Sequence, residues 1–395
     1  MNNRELFLKY VAQTSDAPLM LEIEKAEGMY MYTPAGKKIM DLISGISVSD
    51  VGHRHPKVVE AIKNQADKYL HLMVYGEFIQ SPQTELAQKI CEQLPENLSS
   101  VYFTNSGSEA NEGALKLAKR FTGRREIIAC KNAYHGSTQG VLSIIGGEYF
   151  KQGYEPLLPE TKNIHFNSFE DLNVITSKTA CVIVEPVQAE AGVISPTNGY
   201  LEALRKRCNE TGTLLIFDEI QTGFGRTGEL FAFQKFGVIP DILTIAKGMG
   251  GGMPIGAFIA SKEIMHVLTH NPVLGHITTF GGHPVSCAAS KACLDVIIEN
   301  QLYKYVKEKE ERFLKQLKHP LIKEIRSNGL LIAVQFENYE FNKKVIDTCI
   351  ENGLLTDWFL FNDSSMRIAP PLIITNEEID WACEIILKSI STCSK

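Results

Sequence analysis

Short runs of aliphatic and β-branched residues alternate with helix-patterned segments through the middle of the chain. Positions 101–103, 126–129, 181–184, 214–217, 242–245 and 255–260 read as buried strands. Between them, 109–121 sets Ala110, Ala114, Leu117, Ala118 and Phe121 at helical spacing and keeps Lys116, Lys119 and Arg120 off that stripe. A second helix is predicted over 200–210. Strands separated by helices over this length predict an α/β fold around a mostly parallel sheet. After Pro284 the texture changes. Long amphipathic helices over 285–300 and 302–317 precede short strands near 332–336 and 366–368, and a helix over 377–389 closes the chain. That shift predicts a second, smaller α+β unit.

At 395 residues, 44% hydrophobic and 22% charged, the chain has the composition of a folded globular protein of two to three domains. A net charge of −6 provides no basic field for nucleic acid or anionic lipid, and neither is expected as a partner. Nine scattered cysteines without Cys-x-x-Cys spacing read as small buried hydrophobes in a reducing compartment. The longest stretch free of Asp, Glu, Lys and Arg, 264–290, is broken by histidines, Pro272 and glycines and does not read as a membrane span. The N-terminus is polar, so a cytoplasmic protein is expected.

Gly223-Phe224-Gly225-Arg226-Thr227-Gly228 matches a dinucleotide fingerprint only as a string. Five residues separate its first glycine from the preceding strand, whereas the fingerprint places glycine at the strand-to-helix turn. A loop is the expected reading, not an NAD site. His53 and His55 lie one residue apart on a polar loop without nearby acids at ligand spacing, and no metal is assigned to them.

Three other features share a chemistry. Asn105-Ser106-Gly107-Ser108-Glu109 lies between a strand and a helix, where Gly107 lets backbone approach an anion, Ser108 can cap, and the helix terminus offers free N–H groups. Asp218 ends the run Leu214-Leu215-Ile216-Phe217, at the strand edge where α/β proteins bind ligands, with Ile220 expected on the same side. Lys247 closes another apolar strand before Gly248-Met249-Gly250-Gly251-Gly252. A buried lysine there would have a depressed pKa and nucleophilic character; a lysine snorkelling to the surface is the alternative. A phosphate cup, an acid for a pyridinium nitrogen and a nucleophilic lysine are the requirements of pyridoxal phosphate.

With those residues in place, the sequence resembles the class III aminotransferases of the fold-type I pyridoxal-phosphate enzymes, nearest the acetylornithine, ornithine and 4-aminobutyrate aminotransferases. The resemblance runs from Gly52-His53-Arg54-His55-Pro56 to Arg367-Ile368-Ala369-Pro370-Pro371 and is most specific in 216–228 followed by Lys247-Gly248. It implies a large, mostly parallel α/β/α domain over 46–284 and a smaller α+β domain built from both chain ends, 1–45 and 285–395. It also implies that Lys247 bonds to the cofactor and moves the substrate proton, while Asp218 keeps the ring nitrogen protonated. By the same resemblance, Gln221 reaches the ring hydroxyl, Ile220 and Tyr134 cover the two ring faces, and Gly107 and Ser108 hold the phosphate. Thr279 would reach the phosphate of a neighbouring subunit, making a homodimer with shared sites, and Thr278 beside it is assigned to substrate.

For the substrates, an amino acid and a 2-oxo acid, the resemblance assigns Arg367 to a substrate carboxylate and Glu190 to pairing with Arg367 when no carboxylate is present. It implies a ping-pong transfer between an ω-amine donor and 2-oxoglutarate. Aminomutases, racemases and decarboxylases of the same family share Lys247, Asp218 and the phosphate cup and are the alternative. The chain departs from the pattern at Ser137, where the named relatives carry an arginine for the carboxylate distal to the reacting amine. A lost charge-assisted contact of that kind costs roughly 1.5–3 kcal/mol.

Overall fold

The computed structural model describes residues 1–394. Seven strands form the central sheet in the spatial order Ser100–Thr104, Gly256–Ala260, Ile242–Ile245, Leu214–Asp218, Thr179–Val184, Glu126–Cys130, Thr161–Ile164. Gly256–Ala260 runs antiparallel to both neighbours and every other pairing is parallel. Both faces of this sheet are covered. Val182, Val184, Leu215, Phe217 and Leu243 pack into one core, while Cys181, Ile183, Ile216 and Ile242 pack into another. Double burial explains why these strands read as continuous apolar runs rather than alternating ones. All six predicted strands are present. Thr161–Ile164 escapes the pattern because it is a half-exposed edge strand carrying Lys162 and Asn163.

The helix after the first sheet strand spans Gly107–Thr122 and buries Ala110, Ala114, Leu117 and Ala118 as predicted. Its cap is Ser106 rather than Ser108. Ser106 has the extended backbone a cap requires, and its hydroxyl accepts from Glu109 N–H at 3.2 Å. Ser108 already lies inside the first turn, so its side chain is free to face the sheet edge.

Two smaller four-stranded sheets involve the chain ends. Lys25–Glu27, Tyr30–Tyr32 and Lys38–Asp41 are completed by Leu354–Leu355, which pairs parallel to Lys38–Asp41. The other sheet has the order Glu324–Ser327, Ile332–Gln335, Asn362–Ile368, Asp357–Phe359, all antiparallel. One apolar cluster joins Met29, Met40 and Leu42 to Val306, Phe313, Val334, Ile346 and Ile386. The predicted helix over 302–317 is broken. Gln301 adopts φ +50°, Leu302–Tyr305 is a 3-10 turn, and the α-helix begins only at Val306–Gln316. Among the described residues no helix is long and apolar enough to cross a membrane.

The Gly223–Gly228 string forms successive turns with no phosphate-binding helix behind it. At its centre Arg226 is fully buried. It donates to Leu330 O at 3.0 Å, to Pro370 O at 2.5 Å, to Ser44 Oγ at 3.3 Å and to the Asp50 carboxylate. The glycines serve this packed junction. His53 likewise has a structural partner: its Nε2 lies 2.8 Å from Asp41 Oδ2. His55 immediately precedes the helix Pro56–Ala66.

Candidate active site

The parallel strands bring their carboxyl ends to one edge of the sheet, and a cavity of about 420 Å³ opens there. Gly107, Ser108, Tyr134, Asp218, Ile220, Gln221 and Lys247 all line it. Residues separated by 140 positions in sequence thus meet because three strand ends and one helix start share that edge.

Lys247 follows strand Ile242–Ile245 and opens a 3-10 turn with φ +48°, a left-handed conformation that a non-glycine residue adopts only when its surroundings enforce it. Burial lowers its pKa to about 8, helped by Arg367 and opposed by Glu190, Asp218 and Glu185. The lowered pKa makes the free amine, a nucleophile and proton carrier, far more accessible near neutral pH than on an ordinary lysine.

Asp218 ends its strand and is held from three directions. His135 Nδ1 and Asn111 Nδ2 each lie 2.8 Å from Oδ2, and Ile220 N–H donates to Oδ1 at 3.0 Å. Asn111 also donates to His135 O at 2.8 Å, which locks the trio. Glu185, at the end of strand Thr179–Val184, is a further lining acid. Burial, with Asp218 and Glu190 nearby, pushes its carboxyl well above the usual range.

The helix start and the Tyr134 loop close on each other. A Cβ at Gly136 would lie 2.3 Å from Ser108 Oγ, and one at Gly107 would lie 2.7 Å from Ile220 Cδ1. Neither position has room for a side chain while its neighbours stay in place. The N–H groups of Gly107 and Ser108 have no intrahelical partner in the first turn and face an anion favourably.

Arg367 and Glu190 pair at 2.9 Å through both guanidinium Nη atoms and both carboxylate oxygens, almost wholly buried. Burial would raise the Glu190 carboxyl, but Arg367, Lys247 and the Leu360 N–H hold it at about 2. Gln221 Nε2 donates to Glu190 Oε1 at 2.9 Å and so links the pair to the cavity wall. Arg367 and Glu190 lie behind Gln221 rather than on the cavity wall, and three further assigned residues do not line the cavity either. Ser137 is exposed beside it, with its N–H 3.4 Å from Ser108 Oγ. Thr278 is half-buried and accepts from Asn105 Nδ2 at 3.3 Å, and Thr279 is exposed.

The donor set fits pyridoxal phosphate. Gln221 Oε1 and His135 Nε2 are buried without a hydrogen-bond partner, the helix start supplies anion-binding N–H groups, and an acid and a depressed-pKa lysine face the same volume. Such orphaned polar atoms are what a polar group seated in the cavity would satisfy.

Comparison with known proteins agrees with this geometry. The family model described as aminotransferase class III matches residues 10–390. The acetylornithine aminotransferase of Methanocaldococcus jannaschii is 41% identical over 375 residues, 92% of this chain and 91% of its own. Ornithine aminotransferase 2 of Staphylococcus aureus is 40% identical over 386 residues, 93% of this chain and 94% of its own. The crystal structure of the ornithine aminotransferase from Toxoplasma gondii ME49 superposes with a TM-score of 0.92 at 31% identity, covering 100% of this chain and 96% of that one. The chain belongs to the class III aminotransferases, pyridoxal-phosphate-dependent transaminases of fold type I.

Proposed function

We propose that this transaminase takes an amino acid bearing an ω-amine, of the acetylornithine and ornithine type, and passes the amino group to 2-oxoglutarate by a ping-pong cycle. The observation that carries this reading is the buried, bidentate Arg367–Glu190 pair. An ω-amine enters with the pair intact. An α-carboxylate must displace Glu190 to reach the guanidinium, and bidentate geometry makes that exchange specific.

Pyridoxal phosphate, when bound, supplies the electron sink for breaking the substrate C–H bond. The chain supplies the rest. The start of helix Gly107–Thr122 would anchor the phosphate, Tyr134 and Ile220 would confine the ring, and Gln221 would bond the ring hydroxyl. Asp218, oriented by His135 and Asn111, would hold a proton on the ring nitrogen. Lys247 Nζ would hold the cofactor covalently and would serve as the base that takes the substrate proton and returns it. We assign 46–284 to the cofactor-binding domain and the two chain ends to the smaller one, which the shared cluster of Met29, Met40 and Leu42 with C-terminal residues supports. Nine free cysteines support a reducing, cytoplasmic setting.

Arg367→Ala tests the central assignment. It should cost the 2-oxoglutarate and glutamate half-reaction about 2–5 kcal/mol in kcat/KM and the ω-amine half-reaction clearly less. Single-turnover spectroscopy separates the two, and equal losses would remove Arg367 as the carboxylate site.

We further propose that two subunits share their sites through Thr279. It is exposed on a segment that also exposes Val273, Leu274, Ile277 and Phe280, apolar side chains suited to burial by a second copy. Light scattering should give a dimer or larger species, and Thr279→Ala should release the cofactor more readily on dialysis. A fully active monomer contradicts both statements.

Ser137→Arg probes the distal end of the donor. From its position beside the cavity, the new guanidinium should raise kcat/KM for donors with a distal carboxylate by up to about tenfold. No gain for acetylornithine or 4-aminobutyrate would show that another residue reads that carboxylate.

A further inference from the structure

Arg367 faces two carboxylates. Glu190 takes the Nη1 and Nη2 atoms, while Asp357 Oδ1 lies 3.0 Å from Nε. Asp357 stands directly opposite Arg367 in the ladder between Asp357–Phe359 and Asn362–Ile368, so backbone register brings the two together. Neither Asp357 Oδ1 nor Arg367 Nε has another polar partner, so the two face each other as an ion pair. The contact therefore acts through charge. The same strand also fixes the guanidinium in place: Trp358 O accepts from Nη2 at 2.9 Å, and the Phe359 ring lies 4.6 Å from the guanidinium carbon.

The two acids are held differently. Glu190 is fastened by the Gln221 side chain and the Leu360 N–H, contacts that break when it swings aside. Asp357 is part of the strand that carries the guanidinium's other contacts and stays when Glu190 leaves. An incoming carboxylate thus meets an arginine whose charge is already partly offset. We propose that Asp357 is a specificity-determining residue, a resident counter-charge that weakens the hold of Arg367 on a substrate carboxylate and favours donors that leave the Arg367–Glu190 pair intact. The inference rests on the reading of Arg367 as the carboxylate site.

The charged groups facing Asp357 are Arg367, Glu190 and Asp41, the last paired with His53. Burial lifts the Asp357 carboxyl to about 6 against the pull of Arg367, with Glu190 and Asp41 adding to the rise. Ionisation of Asp357 and binding of a carboxylate at Arg367 oppose each other by the same factor. Carboxylates should therefore bind more tightly below that pKa than above it.

The test uses the holoenzyme. Asp357→Asn should lower KM for 2-oxoglutarate by about three- to tenfold at pH near 7.5, with a smaller change in the ω-amine half-reaction, and Asp357→Glu should move KM back toward wild type. Loss of a merely structural contact would raise KM instead. In wild type, the dissociation constant of glutarate, a dicarboxylate that cannot react, should rise by a similar factor between about pH 5.5 and 7.5 and stay flat in Asp357→Asn. A KM unchanged or raised in folded, cofactor-loaded Asp357→Asn overturns the proposal. A pH-independent glutarate constant in wild type does so even if the variant fails to fold. Wild type that cannot use 2-oxoglutarate at all would instead sink the acceptor assignment.

Discussion

Lys247→Ala should abolish turnover, by on the order of a millionfold, while leaving the fold and the phosphate anchor intact. Two functions vanish with one side chain: the covalent bond to the cofactor and the transfer of the substrate proton. The size of the loss follows from that coincidence, because groups acting as one unit do not lose activity in separate increments. Wild type gives the matching control. With the Lys247 pKa lowered to about 8 by burial, the reactive free amine grows as pH rises through 8. The rate at which cofactor-stripped enzyme reacts with added pyridoxal phosphate should climb over the same range and then level off. Borohydride should fix the cofactor mass on Lys247 in wild type and nowhere in the variant. Near-normal turnover in Lys247→Ala would exclude the mechanism.

Asp218→Asn should retain the covalently bound cofactor and lose activity by on the order of 10²–10³. The amide oxygen can still accept from His135 Nδ1 and Asn111, at the cost of the Ile220 N–H contact, so most of the geometry survives while the charge does not. Without that charge the ring nitrogen gives up its proton, and the electron sink weakens in the transition state more than in binding. Stopped-flow of the amine half-reaction reads this directly. An unchanged rate would show that Asp218 is not the partner of the ring nitrogen.

The large sheet was legible because its strands are buried on both faces, which writes uninterrupted apolar runs into the sequence. The edge strand Thr161–Ile164 and small-sheet strands such as Leu354–Leu355 and Asp357–Phe359 carry no such runs and stayed hidden, whereas Ile332–Gln335 and the end of Asn362–Ile368 were legible. Within the site, Lys247 and Asp218 stood out as charges closing apolar strands. Glu185 closes the neighbouring strand in the same way, and the same rule would have found it. Asn111 also left a trace: it shares helical spacing with Ala114 and Ala118, a polar residue on a buried stripe, and its amide reaches Asp218. His135 left none, since its role comes from tertiary placement alone. Asp357 was equally silent, because only the strand register sets it against Arg367.

The Arg226 junction has a consequence in time. The ribosome completes the last central-sheet strand at Ala260, yet two acceptors of this guanidinium, Leu330 O and Pro370 O, lie 70 and 110 residues downstream. Until they are synthesised, only Ser44 and Asp50 are available to a cation that ends fully enclosed, and burying it half-satisfied is unfavourable. The packing around Arg226 can therefore be completed only after residue 370 has been made. A premature stop before Pro370 should leave that buried cation without one of its acceptors and give a less stable protein, although every residue lining the pocket has been made.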